Sequence, residues 1–251
     1  MTALRALRRL KSWIATAPPG PPPSDDYRAI EAEQALDGWL AREVAERQQA
    51  AFAPLVADAL AGKPRADFKA AADAILETGM LDPSVVEIGC GSAYYARVLP
   101  ALLGRPLRYT GFDLSLAMVA LGARAHAGVR LAVGDARRLP LADDCCDILL
   151  SGTVLMHVLE YEVAIEESRR AARTWCIFHT IPIRQNGRTL TLRKRAYGLP
   201  VAEVVFNQKE IEECFAGKGL AIADTLSSLD YDLQAVIGER TTTVTYLCRK
   251  V

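Results

Sequence analysis

The 251-residue chain has no surplus of either charge: Lys+Arg and Asp+Glu number 30 each. Non-specific nucleic-acid binding draws its affinity from phosphate neutralisation by a basic excess, so no nucleic-acid partner is expected. Long apolar runs are lacking as well. None reaches the 18 or so residues of a membrane-spanning helix, and no continuous apolar core follows the early arginines as in a secretory signal. Histidine is scarce, with residues only at 126, 157 and 179. The six cysteines, at 90, 145, 146, 176, 214 and 248, contain no C-x-x-C pair and no histidine at zinc-finger distance. Zinc and iron–sulfur ligation are therefore excluded, and no metal is expected. Scattered thiols without a disulfide framework point to a reducing, cytoplasmic setting. What remains is an ordinary globular composition, 51% apolar and 24% charged, of a length that suits one domain or one domain with an appendage.

Three stretches differ in texture. Residues 1–23 combine a short basic amphipathic segment with a proline-rich spacer. Leu4, Leu7, Leu10 and Ile14 recur at helical spacing beside Arg5, Arg8, Arg9 and Lys11, a pattern that fits either weak peripheral contact of residues 1–16 with an anionic membrane or a helix lying on its own domain. APPGPPP then stops any helix. Residues 24–80 are alanine-rich and helical by period, and are expected to form a helical cap. In 81–251 short apolar runs alternate with helical stretches: SVVEIGC, LRYTGFD, VRLAVGD, DDCCDILLSG, TWCIFHTIPI, GLAIADTLS and TTTVTYLCRK. Strand–helix alternation with near-continuous apolar strands predicts an α/β fold, a seven-stranded, mostly parallel sheet with helices on both faces. An insertion at 184–207 breaks the alternation and is expected to form a hairpin or lid over the carboxyl edge of the sheet.

Chemistry concentrates at three consecutive strand ends. In Glu87-Ile88-Gly89-Cys90-Gly91-Ser92 a strand ends, two glycines turn and a helix begins. Glycine is needed where backbone must approach a ligand or adopt positive φ, and a turn at the carboxyl end of the first parallel strand is the usual cofactor crevice. Asp113 follows Gly89 by 24 residues and closes the second strand, where a carboxylate accepts both hydroxyl protons of a ribose. Asp135 closes the third, 22 residues later, within reach of an exocyclic amine. Each has a bland alternative: a tight turn, an N-cap, a turn residue. A pyrophosphate-binding G-x-G-x-x-G is disfavoured by Tyr94 at its last position, and an acidic rim suits a cationic ligand better than a dinucleotide.

EIGCGSAYYARVL, TGFDLS and VGDARRLPLADDCCDILLSGTVLMHV together resemble the class I S-adenosylmethionine-dependent methyltransferases of the small-molecule kind often called methyltransferase type 11. The resemblance spans about residues 84–182. It implies a Rossmann-like fold, S-adenosyl-L-methionine as cofactor and transfer of a methyl group to an oxygen or nitrogen, or a carbon, of a small-molecule acceptor. By the same resemblance Glu87, Gly89, Cys90 and Gly91 form the glycine loop beside the methionine part and ribose. Asp113 and Leu114 take the ribose, Asp135 and Ala136 the adenine, and Ser151 and Gly152 lie near the cofactor's amino acid. Ala93 stands where the family often has a third glycine. Direct displacement needs alignment more than a base. His157, just past the fourth strand, and His179, at the end of the fifth, are the candidate catalytic bases, with packing roles as their alternative. Tyr27, Trp39 and Gln48 are pocket candidates by residue type alone; Tyr161 and Tyr197 are further candidates for orienting a substrate. The arginines and lysine of 184–195 are either a basic lid or a solvated face. A monomer or homodimer is expected. The competing readings are an inactive methyltransferase-like scaffold or cofactor-binding subunit and, less favoured, a nicotinamide oxidoreductase.

Overall fold

The computed structural model describes residues 27–29 and 37–251; the basic segment and proline-rich spacer of 1–23 lie outside them. In chain order the elements are β1 (Arg28–Ala29), a 3-10 turn (Asp37–Leu40), α1 (Arg42–Leu60), α2 (Ala66–Glu77), β2 (Ser84–Ile88), α3 (Tyr95–Leu103), β3 (Arg108–Asp113), α4 (Leu116–Ala125), β4 (Arg130–Val133) and β5 (Cys146–Gly152). A second 3-10 turn (Leu155–His157) leads to α5 (Tyr161–Ala171), β6 (Ala172–Arg184), β7 (Leu190–Ala196), β8 (Leu199–Asn207), α6 (Gln208–Gly217), β9 (Leu220–Ser227), α7 (Gln234–Ile237) and β10 (Thr242–Lys250).

All seven strands expected from the sequence are present. They run β4-β3-β2-β5-β6-β10-β9, with β10 antiparallel to both neighbours and the rest of that set parallel. The described residues form ten strands rather than seven, because the insertion folds into the antiparallel pair β7–β8 and β1 adds to its edge. Ile183 and Arg184, past the end of β5, pair with Phe206 and Asn207 of β8. The hairpin thus extends the sheet beyond the carboxyl ends of the central strands.

β5 shows why these runs are strands. Ile148 and Leu150 pack into one core cluster and Leu149 into the other, the period-two alternation of a strand buried on both faces; Cys146 joins the cluster of Leu149 because the strand shifts register between Cys146 and Ile148. Phe68, Ile75, Val98 and Leu99 of α2 and α3 cover one face. Ala164, Ile165, Ile211 and Phe215 of α5 and α6 cover the other. The cap is therefore not a separate layer, because α2 supplies fully buried core residues. Cys146 is core, whereas Cys145 is exposed; all six cysteines are free. Among the described residues no helix is long and apolar enough to cross a membrane.

Two close approaches fix the strand ends. A Cβ at Gly152 would overlap the Glu87 carboxyl, and one at Gly89, whose φ is +65°, would overlap Val154. Gly152→Ala should therefore cost about 2–3 kcal/mol, as overpacking of a filled core does, lowering the melting temperature by roughly 5–10 °C in a chain of this size. Gly217→Ala, where an added Cβ meets nothing within 4 Å, is the matched control and should melt within a degree or two of the native protein. A thermal melt followed by circular dichroism reads both.

Candidate cofactor and acceptor site

The strand order reverses at β2, whose neighbours are β3 on one side and β5 on the other. In an open α/β sheet such a reversal leaves a crevice at the carboxyl ends of the strands. A cleft of about 1100 Å³ opens there. Its lining includes Gly89, Gly91, Asp113, Leu114, Asp135, Ala136 and Gly152 from the strand ends. The turn after β2 is tight: Gly89 and Gly91 have φ of +65° and +55°, and the Cys90 N–H donates to the Phe112 carbonyl at 3.0 Å. Asp113 ties the two turns together. One carboxylate oxygen accepts the Gly91 N–H and the other the Ser115 N–H, both at 2.8 Å. Burial raises its pKa against these two donors. Each oxygen keeps a second lone pair, which is what a vicinal diol requires. Thr153, also on the lining, is a β-branched residue at φ +61°, a strained conformation of the sort found at binding sites.

Asp135 is held by the fork of Arg137, with contacts of 2.6–3.1 Å, and Arg137 also pairs with Glu160. That hydrogen bonding keeps the Asp135 pKa below the ordinary carboxylate value. Glu87, Cys90 and Ser151 were expected on the cofactor surface, but they stand behind the lining, each buried. Glu87 accepts from the Tyr109 hydroxyl, and burial pushes its pKa up to about 8. The Ser151 Oγ is buried with no protein partner.

The two histidines fall on different sides of this surface. His179 is wholly buried and is not a cleft residue. Its Nε2 lies 2.8 Å from the Tyr95 hydroxyl and 3.0 Å from Thr180 Oγ1, its Nδ1 2.8 Å from Thr245 Oγ1. Burial lowers its pKa to about 4. The expectation of a catalytic base at His179 is thus corrected, because no substrate atom reaches a ring nitrogen already bonded within the core. His157 does line the cleft. Its Nδ1 is 2.7 Å from the Ala202 carbonyl, which only accepts, so Nδ1 carries the proton and Nε2 a lone pair. Burial, with Lys194 nearby, lowers its pKa to about 3. It is a neutral hydrogen-bond acceptor and a poor base.

The other wall comes from the cap and the hairpin. Tyr27, Trp39, Gln48 and Tyr197 all line the cleft, whereas Tyr161 packs edge-on against Phe206 at 5.0 Å, away from it. Trp39 lies 4.7 Å from the His157 ring and 6.1 Å from Tyr197. Tyr94 turns toward the cap, stacking on Phe52 at 4.6 Å, rather than crowding the helix–strand contact. Of the basic residues in the insertion, Lys194 and Arg195 reach the lining, while Arg184 pairs with Glu239 and Arg188 with Glu210. Sequence reasoning missed Arg65 and Asp67, bonded to each other at 2.5–2.7 Å, and the Asp230–Asp232 loop, all on the lining. They carry no motif; only the meeting of the cap with the segment after β9 brings them in. Among the described residues no group of His, Cys, Asp and Glu could hold a metal ion.

Residues 86–178 match a family model described as a methyltransferase domain. A malonyl-[acyl-carrier protein] O-methyltransferase of Pectobacterium atrosepticum is 35% identical over 89 residues, which cover 36% of this chain and 34% of that protein. A demethylmenaquinone methyltransferase of Bacillus velezensis is 28% identical over 93 residues, 35% of this chain and 40% of the relative. The matches thus span well under half the length of these curated relatives. The structure of a Burkholderia thailandensis 1,6-didemethyltoxoflavin-N1-methyltransferase, with bound 1,6-didemethyltoxoflavin and S-adenosylhomocysteine, superposes with a TM-score of 0.55 at 19% identity, covering 90% of this chain and 95% of that one. At that identity the likeness is one of fold.

The buried carboxyl of Glu87 makes a measurable prediction. Its native pKa of about 8 lies above the ordinary 4.5, so between those values the folded state binds the proton that the unfolded state releases. Stability from this group is then fully present below pH 4.5 and is lost as pH rises toward 8, by at most about 1.4 kcal/mol per pH unit. Glu87→Gln should therefore gain on the native protein steadily from pH 5 to pH 8 in urea unfolding of the ligand-free chains. Parallel curves across that range would show that Glu87 ionises normally.

Proposed function

We propose that this chain, whose residues 86–178 match a methyltransferase-domain family model, is a class I S-adenosylmethionine-dependent methyltransferase that transfers a methyl group to an oxygen or nitrogen, or a carbon, of a small-molecule acceptor. The observation that carries it is the Asp113 carboxylate, half-buried at a strand end, anchored to Gly91 and Ser115 by one oxygen each, and lining a cleft of about 1100 Å³. The residues present fit S-adenosyl-L-methionine. Asp113 offers paired acceptors to ribose hydroxyls, Asp135 and Ala136 face the place of the adenine edge, and the glycines at 89, 91 and 152 leave backbone bare where a ligand must lie close. When bound, that cofactor supplies a methyl group already activated on a sulfonium.

This chain's own residues then align and enclose. Trp39, His157 and Tyr197 make an aromatic wall opposite the strand ends. Gln48 of α1 stands over Gly91, its Oε1 3.1 Å from where a Cβ would be, so the cap closes the methionine end. The hairpin closes the side beyond β5. A cleft walled in this way suits a small molecule rather than a protein or nucleic-acid surface. Neutral His157 offers Nε2 as a hydrogen-bond acceptor for an incoming O–H or N–H. Displacement at a saturated carbon asks for this positioning; it does not ask for a strong base. A cytoplasmic monomer or homodimer belongs to the same proposal.

Calorimetric titration with S-adenosylhomocysteine tests it. The native protein should bind in the micromolar range. Asp113→Ala should bind at least tenfold more weakly, the worth of one hydrogen bond to a charged group, with a melt confirming that the variant is folded. Absence of binding by the native protein would replace this proposal with that of an inactive methyltransferase-like scaffold.

A further inference from the structure

We propose that the acceptor presents a phenol- or enol-type hydroxyl and that Lys194, on β7, holds its oxygen as an oxyanion. This deepens the methyl-transfer proposal and rests on it. The evidence is a charged cluster built into the wall of the cleft, outside the strand-end rim. Lys194 and Tyr231 line the cleft, whereas Glu203 of β8 is wholly buried. Lys194 Nζ pairs with the Glu203 carboxylate and lies 3.4 Å from the Tyr231 hydroxyl. That hydroxyl is 2.9 and 3.2 Å from the two Glu203 oxygens, and the Tyr27 hydroxyl approaches it to 2.6 Å.

The direction of these bonds decides what the cluster recognises. A carboxylate only accepts, so the Tyr231 O–H donates to Glu203 and its hydrogen is turned away from the cleft. The carboxylate stands behind, inaccessible. The group at the front is Lys194 Nζ: burial pushes its pKa down to about 7, but the Glu203 carboxylate against it holds it as an ammonium, with three donors and no acceptor. A ligand group meeting it must accept hydrogen bonds or carry negative charge, and a protonated amine would meet like charge. His157, kept neutral by burial and by the charge of this same Lys194, brings no competing charge.

A purely structural role leaves the placement unexplained. Burying an ammonium–carboxylate pair costs desolvation that apolar packing avoids. The hairpin already has apolar neighbours in Leu192, Val201 and Val205, all buried. A charged pair kept at the wall of a cavity is a candidate functional site.

The step balances without a protein base. On binding, the acceptor hydroxyl gives its proton to bulk water and the ammonium becomes the counter-charge. The acceptor oxygen's lone pair then takes the methyl carbon. The C–O bond forms, the sulfonium C–S bond breaks, and its electron pair stays on sulfur as a neutral thioether. One negative and one positive charge cancel. This agrees with two histidines that are both poor bases.

The test is an equilibrium absorbance titration of 4-nitrophenol, whose phenolate and phenol differ in colour, against the full-length protein saturated with S-adenosylhomocysteine. The bound probe should ionise about one to three pH units lower than in water, the effect of one cation in close contact. In Lys194→Met combined with Glu203→Gln, which leaves no unpaired buried charge, that shift should vanish while S-adenosylhomocysteine affinity is unchanged. Lys194→Arg should retain the shift. A cofactor-saturated native protein that fails to bind the probe, binds it without a shift, or keeps the shift in the double variant overturns the oxyanion assignment and leaves the methyltransferase proposal standing. A native protein that fails to bind S-adenosylhomocysteine overturns both.

Discussion

The cleft depends on one buried carboxyl. Glu87, next to last in the central strand β2, is wholly buried, and its neighbours are dictated by that. Tyr109 on β3 donates to it, and Gly152 on β5 has no side chain because the carboxyl fills that space. The three strand ends are thereby locked at one height, and the turns after them open into a common crevice. Gly89 turns away under Val154, Asp113 gathers the Gly91 and Ser115 amides, and Thr153 is pressed into a strained conformation. An acid in the interior is an expensive way to join three strands. It leaves a rim in which every position has one shape available.

Against this rim the second half of the site is assembled from remote pieces of chain. The cap contributes Trp39 and Gln48, the segment before β1 contributes Tyr27, the hairpin contributes Lys194 and Tyr197, and the loop after β9 contributes Tyr231. Of these elements only the hairpin pairs with a central strand, through β8 and the end of β6. They meet because β6 runs 13 residues, past the end of β5, and hands its last two residues to β8. That overhang carries the hairpin over the carboxyl edge and turns an open crevice into a walled cleft. The division has a chemical logic. The rim proposed to take the cofactor is backbone and short acids at strand ends; the wall proposed to face the acceptor is aromatic and polar side chains on added elements.

Much of the rim was legible in the sequence, because it is local. A strand that ends in Gly-Cys-Gly and two that end in aspartate write their geometry in spacing and residue type. The wall was legible only in part. Tyr27, Trp39, Gln48 and Tyr197 were singled out as residue types that suit a pocket, yet Tyr161 qualifies equally and packs on Phe206 instead. Lys194 could not be told from the arginines around it. Its neighbours Arg184 and Arg188 are satisfied by Glu239 and Glu210, contacts between residues far apart in sequence. His179 shows the same limit from the other side: a strand-end histidine reads as a base until Tyr95, Thr180 and Thr245 close around it.

The sequence by itself determined the α/β alternation, the seven central strands and the glycine and aspartate rim, because periodicity and turn chemistry act over a few residues and survive in one dimension. Only the tertiary structure decided which polar groups face the cleft and which lie behind it, so that Glu87, Cys90, Ser151 and His179 fell inside while Arg65, Asp67 and Tyr231 came to the surface of the site. Burial and charge pairing are properties of the space between distant segments, and that space exists only after the sheet has closed.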